Sequence, residues 1–252
     1  LAADRPLALV AARLVDVAPD GSASRVSYGL LNLAHRAGHR WPEPLVPGEE
    51  VEVTIALNHT AWALPAGHRL RLALSTAYWP IAWPPPESVT LAVAAGEVGL
   101  PVRPPRAADE GLPELAPAVG AGAGLPPDPE RDPARFGTVR DDATGEVTHR
   151  WETGFAADGT PEIEEISAIA LEVGHGLRET VRVRDGDPLS AEAQVDHHLV
   201  LRRGSWEVAL TTRSRLTATA ADFRLESELA AREGDEVAAE RRWDQRVPRR
   251  LV

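Results

Sequence analysis

Apolar residues in this chain recur at every second position over short runs, and no segment sustains a helical period. Successive side chains of a strand point to opposite faces, so a period of two dictates strands with one buried face. Val51, Val53, Ile55 and Leu57 alternate with Glu50, Glu52, Thr54 and Ala56, and Leu70, Leu72 and Leu74 share one face of a strand predicted over residues 68–75. Residues 7–17 are largely apolar in both registers, which suits a strand covered on both sides. Further strands are predicted over residues 25–33, 89–93 and 100–102. Pro19-Asp20-Gly21, Pro47-Gly48 and Pro65-Ala66-Gly67 punctuate them, because Pro presets φ and Gly accepts positive φ.

The same pattern returns over residues 136–252. Trp206, Val208, Leu210, Thr212, Ser214 and Leu216 fall on one face. Phe223, Leu225, Ser227, Leu229 and Ala231 do so on the next strand, and Gly204-Ser205 and Gly234-Asp235 supply tight turns. Earlier strands are predicted over residues 146–153 and 163–173. Between the two β regions, residues 106–135 are rich in Pro, Ala, Gly and acid, a composition that buries too little apolar area to offset ordering entropy. The chain is therefore expected to be all-β: a β-sandwich or jelly roll over residues 1–105, a linker over 106–135, and an antiparallel meander or sandwich over 136–252.

Composition removes several functions. There is no Cys, so disulfides and thiolate metal sites are excluded. The formal net charge is −11, which opposes nucleic-acid binding. No apolar run reaches the roughly 18 residues a membrane helix needs, so no membrane partner is expected. A cytoplasmic location fits the lack of Cys. The chain begins at Leu1 and contains no Met, from which residues of the native polypeptide are expected ahead of Leu1.

No catalytic constellation is legible. The G-x-S-x-G elbow is absent and so is any Cys nucleophile. His35 and His39 are four residues apart, and His197 and His198 are adjacent and would point to opposite faces of a strand. No H-E-x-x-H occurs, so no metal and no cofactor is expected. Asp16, Asp20, Asp185 and Asp187 stand beside turns, where Asp favours turn formation and a calcium ion is the alternative. Trp62, Tyr78, Trp79 and Trp83 fall near Pro80 and Pro84-Pro85-Pro86, and make either a docking surface for another domain or a stacking platform for sugar rings.

Four runs carry a family resemblance. Ala12-Arg13-Leu14-Val15-Asp16-Val17-Ala18-Pro19-Asp20-Gly21, the Pro47-Gly48-Glu49 turn, Ala66-Gly67-His68-Arg69-Leu70-Arg71-Leu72 and Ser75-Thr76-Ala77-Tyr78-Trp79-Pro80 follow one another as in a known domain. In order and spacing they resemble the C-terminal jelly roll of X-Pro dipeptidyl-peptidases and cocaine-esterase-like acyl hydrolases. The ending Trp243-Asp244-Gln245-Arg246-Val247-Pro248-Arg249 is similar to that of members carrying a further β domain. The resemblance implies a galactose-binding-like jelly roll whose first strands precede Leu1. It also implies a Ser, Asp and His triad in an upstream α/β-hydrolase domain, with no catalytic residue in this chain. Asp16, Asp20, Gly21, Gly67, His68 and Arg69 then belong to structural motifs, and Arg69 is expected to pair with a carboxylate such as Asp16. The implied role is to brace the catalytic domain, to shape its active-site mouth, or to build a homo-oligomer. The competing reading is a free-standing carbohydrate- or small-ligand-binding β-sandwich module.

Overall fold

The computed structural model describes residues 1–104, 106, 107, 111, 135–156 and 158–252. The segment read as a linker, residues 106–135, lies almost wholly outside the described residues. The all-β expectation holds. Among the described residues thirteen strands run in chain order: β1 (Ala2–Ala3), β2 (Leu9–Val17), β3 (Ala23–Asn32), β4 (Arg69–Ser75), β5 (Leu91–Ala92), β6 (Arg135–Asp141), β7 (Glu146–Thr153), β8 (Ile163–Ile166), β9 (Leu171–Arg184), β10 (Asp187–Arg203), β11 (Trp206–Ala218), β12 (Asp222–Glu233) and β13 (Glu236–Pro248). The helical content among the described residues is confined to single 3-10 turns such as Leu33–His35, and no helix is long and apolar enough to cross a membrane.

β2 is the centre of an antiparallel three-stranded sheet in the order β3-β2-β4. Its two apolar registers are both used: Val10, Ala11 and Val17 are all buried. A core of Ala3, Ala8, Val10, Leu33 and Leu45 forms beneath it, closed from the side by Val51, Val53, Ile55, Val89 and Leu91. The Val51–Ile55 alternation thus points inward as expected, yet residues 50–57 form no strand. The backbone is tied only at its ends, by Val51 N to Leu1 O at 2.8 Å and by Asn58 N to Tyr28 O at 2.9 Å. Alternation reports which side chains are buried, not whether a neighbouring backbone stands in ladder register. Here the segment crosses β3 closely enough that a Cβ at Gly29 would overlap the Ala56 carbonyl. The strand expected over 100–102 is also absent, and Val102 is 84% exposed with no edge to pair on. The strand expected over 89–93 shrinks to β5, which pairs with β1.

The second β region is one eight-stranded sheet in the order β13-β12-β11-β10-β9-β7-β6, with β8 added on β9. Tight turns join the long strands, with Gly186, Gly204 and Gly234 all at positive φ. The strand expected over 163–173 is split, because the 3-10 turn Ser167–Ile169 and the left-handed Ala170 separate β8 from β9. β9 runs on beyond residue 173, and the Arg178 and Arg182 it adds are ion-paired on one face of the sheet, to Glu152 and Glu192.

That face carries a row of alternating charge across seven strands. Arg135 faces Glu152, then follow Arg178, Asp196, Arg213, Glu228 and Arg242, each opposite the next. Arg178 Nε lies 2.6 Å from Glu152 Oε2, and Arg213 Nε lies 2.6 Å from Asp196 Oδ1. Beside the row, Glu192 binds both Arg182 and Arg215. Guanidiniums lying over these carboxylates explain why Asp196 and Glu192 are buried on an otherwise open sheet. The Arg178 hydrogen bond holds the Glu152 carboxyl below its ordinary value. Burial pushes the Asp196 carboxyl up, but its bonds from Arg213 and Gln194 outweigh that and hold it low.

Candidate functional site

The aromatic residues singled out by sequence divide into three settings. Trp62 lies over the β2 face and donates from Nε1 to Asp16 Oδ2 at 3.0 Å. Asp16 also accepts from His68 Nδ1 at 2.8 Å and is 5% exposed. The expected Arg69–Asp16 pair is therefore wrong. Arg69 stands opposite Val17, one register position away, and its side chain leaves the opposite face of the strand from the carboxylate. His68 reaches Asp16 from just ahead of the strand. Gly21 and Gly67 occupy positive φ in turns that abut, with Pro19 Cγ 3.5 Å from where a Cβ at Gly67 would stand. Asp20 Oδ1 accepts from Ser22 N at 2.9 Å, and the Ser22 side chain, followed by this backbone bond, holds the Asp20 carboxyl below its ordinary value.

Tyr78 sits in a second cluster. Its ring meets Tyr28 edge-on at 5.4 Å, Arg13 stacks over it at 5.2 Å, and Arg25 donates to its hydroxyl. These neighbours come from β2 and β3, where Arg13 and Tyr28 stand opposite each other, so the ring packs on the face of the three-stranded sheet.

Trp79 and Trp83 form the third setting. Their rings meet at 5.0 Å and 88°, and Trp83 meets Phe223 of β12 at 5.6 Å and 85°. Perpendicular rings offer no coplanar platform along a groove. Around them lies a crevice of about 190 Å³ lined by Leu9, Asn32, Trp83, Phe223, Leu251 and Val252. Arg249, 7% exposed, closes this junction. It donates to Pro84 O at 2.7 Å, Val252 O at 3.0 Å and Thr219 O at 3.3 Å, and stacks over Phe223 at 4.8 Å. Asn32 Nδ2 adds a bond to Leu251 O at 2.7 Å. Burial alone pulls the Arg249 pKa down. Sequence reasoning missed Arg249 and Phe223 as partners of the Trp-Pro loop. Arg249 lies 165 residues from Pro84, and no spacing rule links positions so distant.

The remaining candidates do not assemble a reactive centre. His35 and His39 touch through their Nδ1 atoms at 3.0 Å. His197 and His198 point to opposite faces of β10, toward His175 and Phe155 respectively. No group of three His, Asp or Glu side chains converges on a metal position among the described residues. The one hydroxyl–imidazole bond of a Ser or Thr among them is Thr138 Oγ1 with His149 Nδ1 at 2.9 Å, exposed on β6 and β7. A second hollow of about 400 Å³ lies on the C-terminal sheet, lined by Thr212, Ser214, Leu225, Ser227, Glu228, Leu229, Trp243 and Gln245; Glu228 is its one acid and no base stands beside it in the lining.

Residues 1–112 match a known family, the X-Pro dipeptidyl-peptidase C-terminal non-catalytic domain. No curated protein and no solved structure matches the chain.

Proposed function

From the match of residues 1–112 to an X-Pro dipeptidyl-peptidase C-terminal non-catalytic domain, we propose that the chain is the non-catalytic β region of a serine acyl hydrolase. It braces an α/β-hydrolase catalytic domain and contributes to the mouth of that domain's active site. Residues 1–105 supply the galactose-binding-like unit, residues 106–135 a linker and residues 136–252 a second β domain. A cytoplasmic setting fits the absence of cysteine.

One observation carries the bracing role. β4 is an edge strand, and Leu70, Leu72 and Leu74 along one of its faces are 39%, 44% and 39% exposed. Trp62 and Leu64 nearby are exposed as well. A row of leucines on an unprotected edge is a liability that folded chains cover with another element. Tyr78, Trp79 and Trp83 act in this reading as supports of the docking loop rather than as ligand contacts, since all three are engaged within the chain.

The test has two arms. The chain alone is offered a p-nitrophenyl ester and an X-Pro p-nitroanilide, and no turnover above buffer is expected. Hydrolysis abolished by a Ser-to-Ala change within this chain would refute the reading. The coding sequence ahead of Leu1 is then joined to it; a G-x-S-x-G elbow there and hydrolysis by the joined polypeptide are expected. Specific retention on immobilised glycans, lost in Trp79→Ala, would instead favour a sugar-binding module.

A further inference from the structure

The eight-stranded sheet has two unlike faces. Opposite the charged row, the side chains of β9 to β13 are mostly apolar: Leu199, Leu210, Leu216, Leu225, Leu229 and Trp243 all fall on this side by register. The described residues leave it open, with Val195 37%, Leu225 38%, Trp243 44% and Phe136 61% exposed. Sheets with one apolar face bury it against a second layer.

We propose that the second layer is the same face of a second copy of this chain, related by a two-fold axis running along β11. Area is the first support. An axis along β11 lays five strands, β9 to β13, over their counterparts; at about 4.8 Å apart and over a band of nine residues they present on the order of 700 Å². Stable protein interfaces bury about 800 Å² of each partner on average, and this band falls within their range. Two such sheets stack face to face about 10 Å apart with strands nearly aligned.

Charge is the second support. In the four rows from Ala193 to Leu199, the positions of β9 to β13 on this face hold two formal charges, Glu179 and Arg241. Glu179 stands between Trp151 and Val195 and forms no ion pair among the described residues. Arg241 donates only to the neighbouring Glu240 carbonyl. β9 and β13 each lie two strands from β11, on opposite sides. A two-fold along β11 therefore lays β9 of one copy over β13 of the other and brings Glu179 one row from the partner copy's arginine, twice. Near the axis the Ser214 and Ser227 hydroxyls are paired with each other at 2.9 Å. The contacts of the first β region with the sheet, Trp83 on Phe223, Arg249 to Pro84, Asn32 to Leu251 and Ser88 to Gly186, lie at the strand ends, beyond the four rows.

The experiment is sedimentation velocity on the whole chain across a dilution series, with circular dichroism to establish that each variant is folded. A dimer is expected. Glu179→Arg and Arg241→Glu should each raise its dissociation constant about tenfold to a hundredfold, and the double exchange should restore it. A monomer at every concentration would overturn the proposal, and so would a dimer indifferent to both single exchanges. A monomer that floats with phosphatidylcholine vesicles and shifts its Trp243 emission would give the face to lipid instead. These residues lie outside the matched span of 1–112, so their outcome is separate from that of the catalytic-partner assays.

Discussion

Replacing Asp196 by Ala cuts the alternating-charge row at its middle. Two bonds go: Arg213 Nε at 2.6 Å and Gln194 Nε2 at 2.7 Å. A charge-assisted bond contributes about 1.5–3 kcal/mol and a neutral donor adds about 1 kcal/mol. Arg213 is 63% exposed, so water recovers much of its charge, and the lower part of that range applies. The expected loss is about 2 kcal/mol, or roughly 8 °C in Tm for a unit of this size. Arg213→Ala in a double-mutant cycle should return a coupling of about 1 kcal/mol. The pH dependence gives an independent reading. The folded state holds the Asp196 carboxyl below its unfolded value, so its contribution is complete above the unfolded value and fades as pH falls through the folded one. Acidification below about pH 4 should therefore erode wild-type stability more steeply than that of Asp196→Asn. Thermal melts by circular dichroism from neutral to acid pH measure all three. A change under about 0.5 kcal/mol in Asp196→Ala, or equal acid slopes, would refute the argument that the row is a stabilising network.

Other substitutions test other parts of the fold. Asp16→Ala leaves Trp62 Nε1 and His68 Nδ1 without their acceptor, and should cost about 2 kcal/mol in urea unfolding followed by Trp fluorescence. Gly29→Ala drives a methyl group into the Ala56 carbonyl, and should cost about 2 kcal/mol or more with the same readout. Arg249→Ala strips the donor from three carbonyls, and calorimetry should show the two β regions melting in separated transitions instead of together.

Much of the fold was legible because local chemistry writes it. Trp206 to Leu216 alternates on one face, Gly204 and Gly234 sit where hairpins need positive φ, and β11, β12 and β13 follow. The double apolar register of residues 7–17 predicted a strand buried on both sides, and β2, over Leu9–Val17, is central. Residues 50–57 marked the limit. Their pattern reports burial correctly, but a strand also needs a partner backbone at about 4.8 Å in register, and no single segment encodes its neighbour's position.

The candidate site divides along the same line. Residue type alone marked Trp62, Tyr78, Trp79 and Trp83 as the chain's unusual surface, and the missing elbow and cysteines argued against chemistry in it. Tertiary structure assigned the partners: Asp16 to His68 and Trp62 rather than to Arg69, Trp83 to Phe223, and Arg249 to the Pro84 carbonyl. The charge row is the clearest case. Its seven members scatter over more than a hundred residues and no spacing connects them, because a register shift of one residue in any strand would turn that strand's member to the other face. Sequence determined which side chains must pair or be buried. The stacking of seven strands in a single register decided with what.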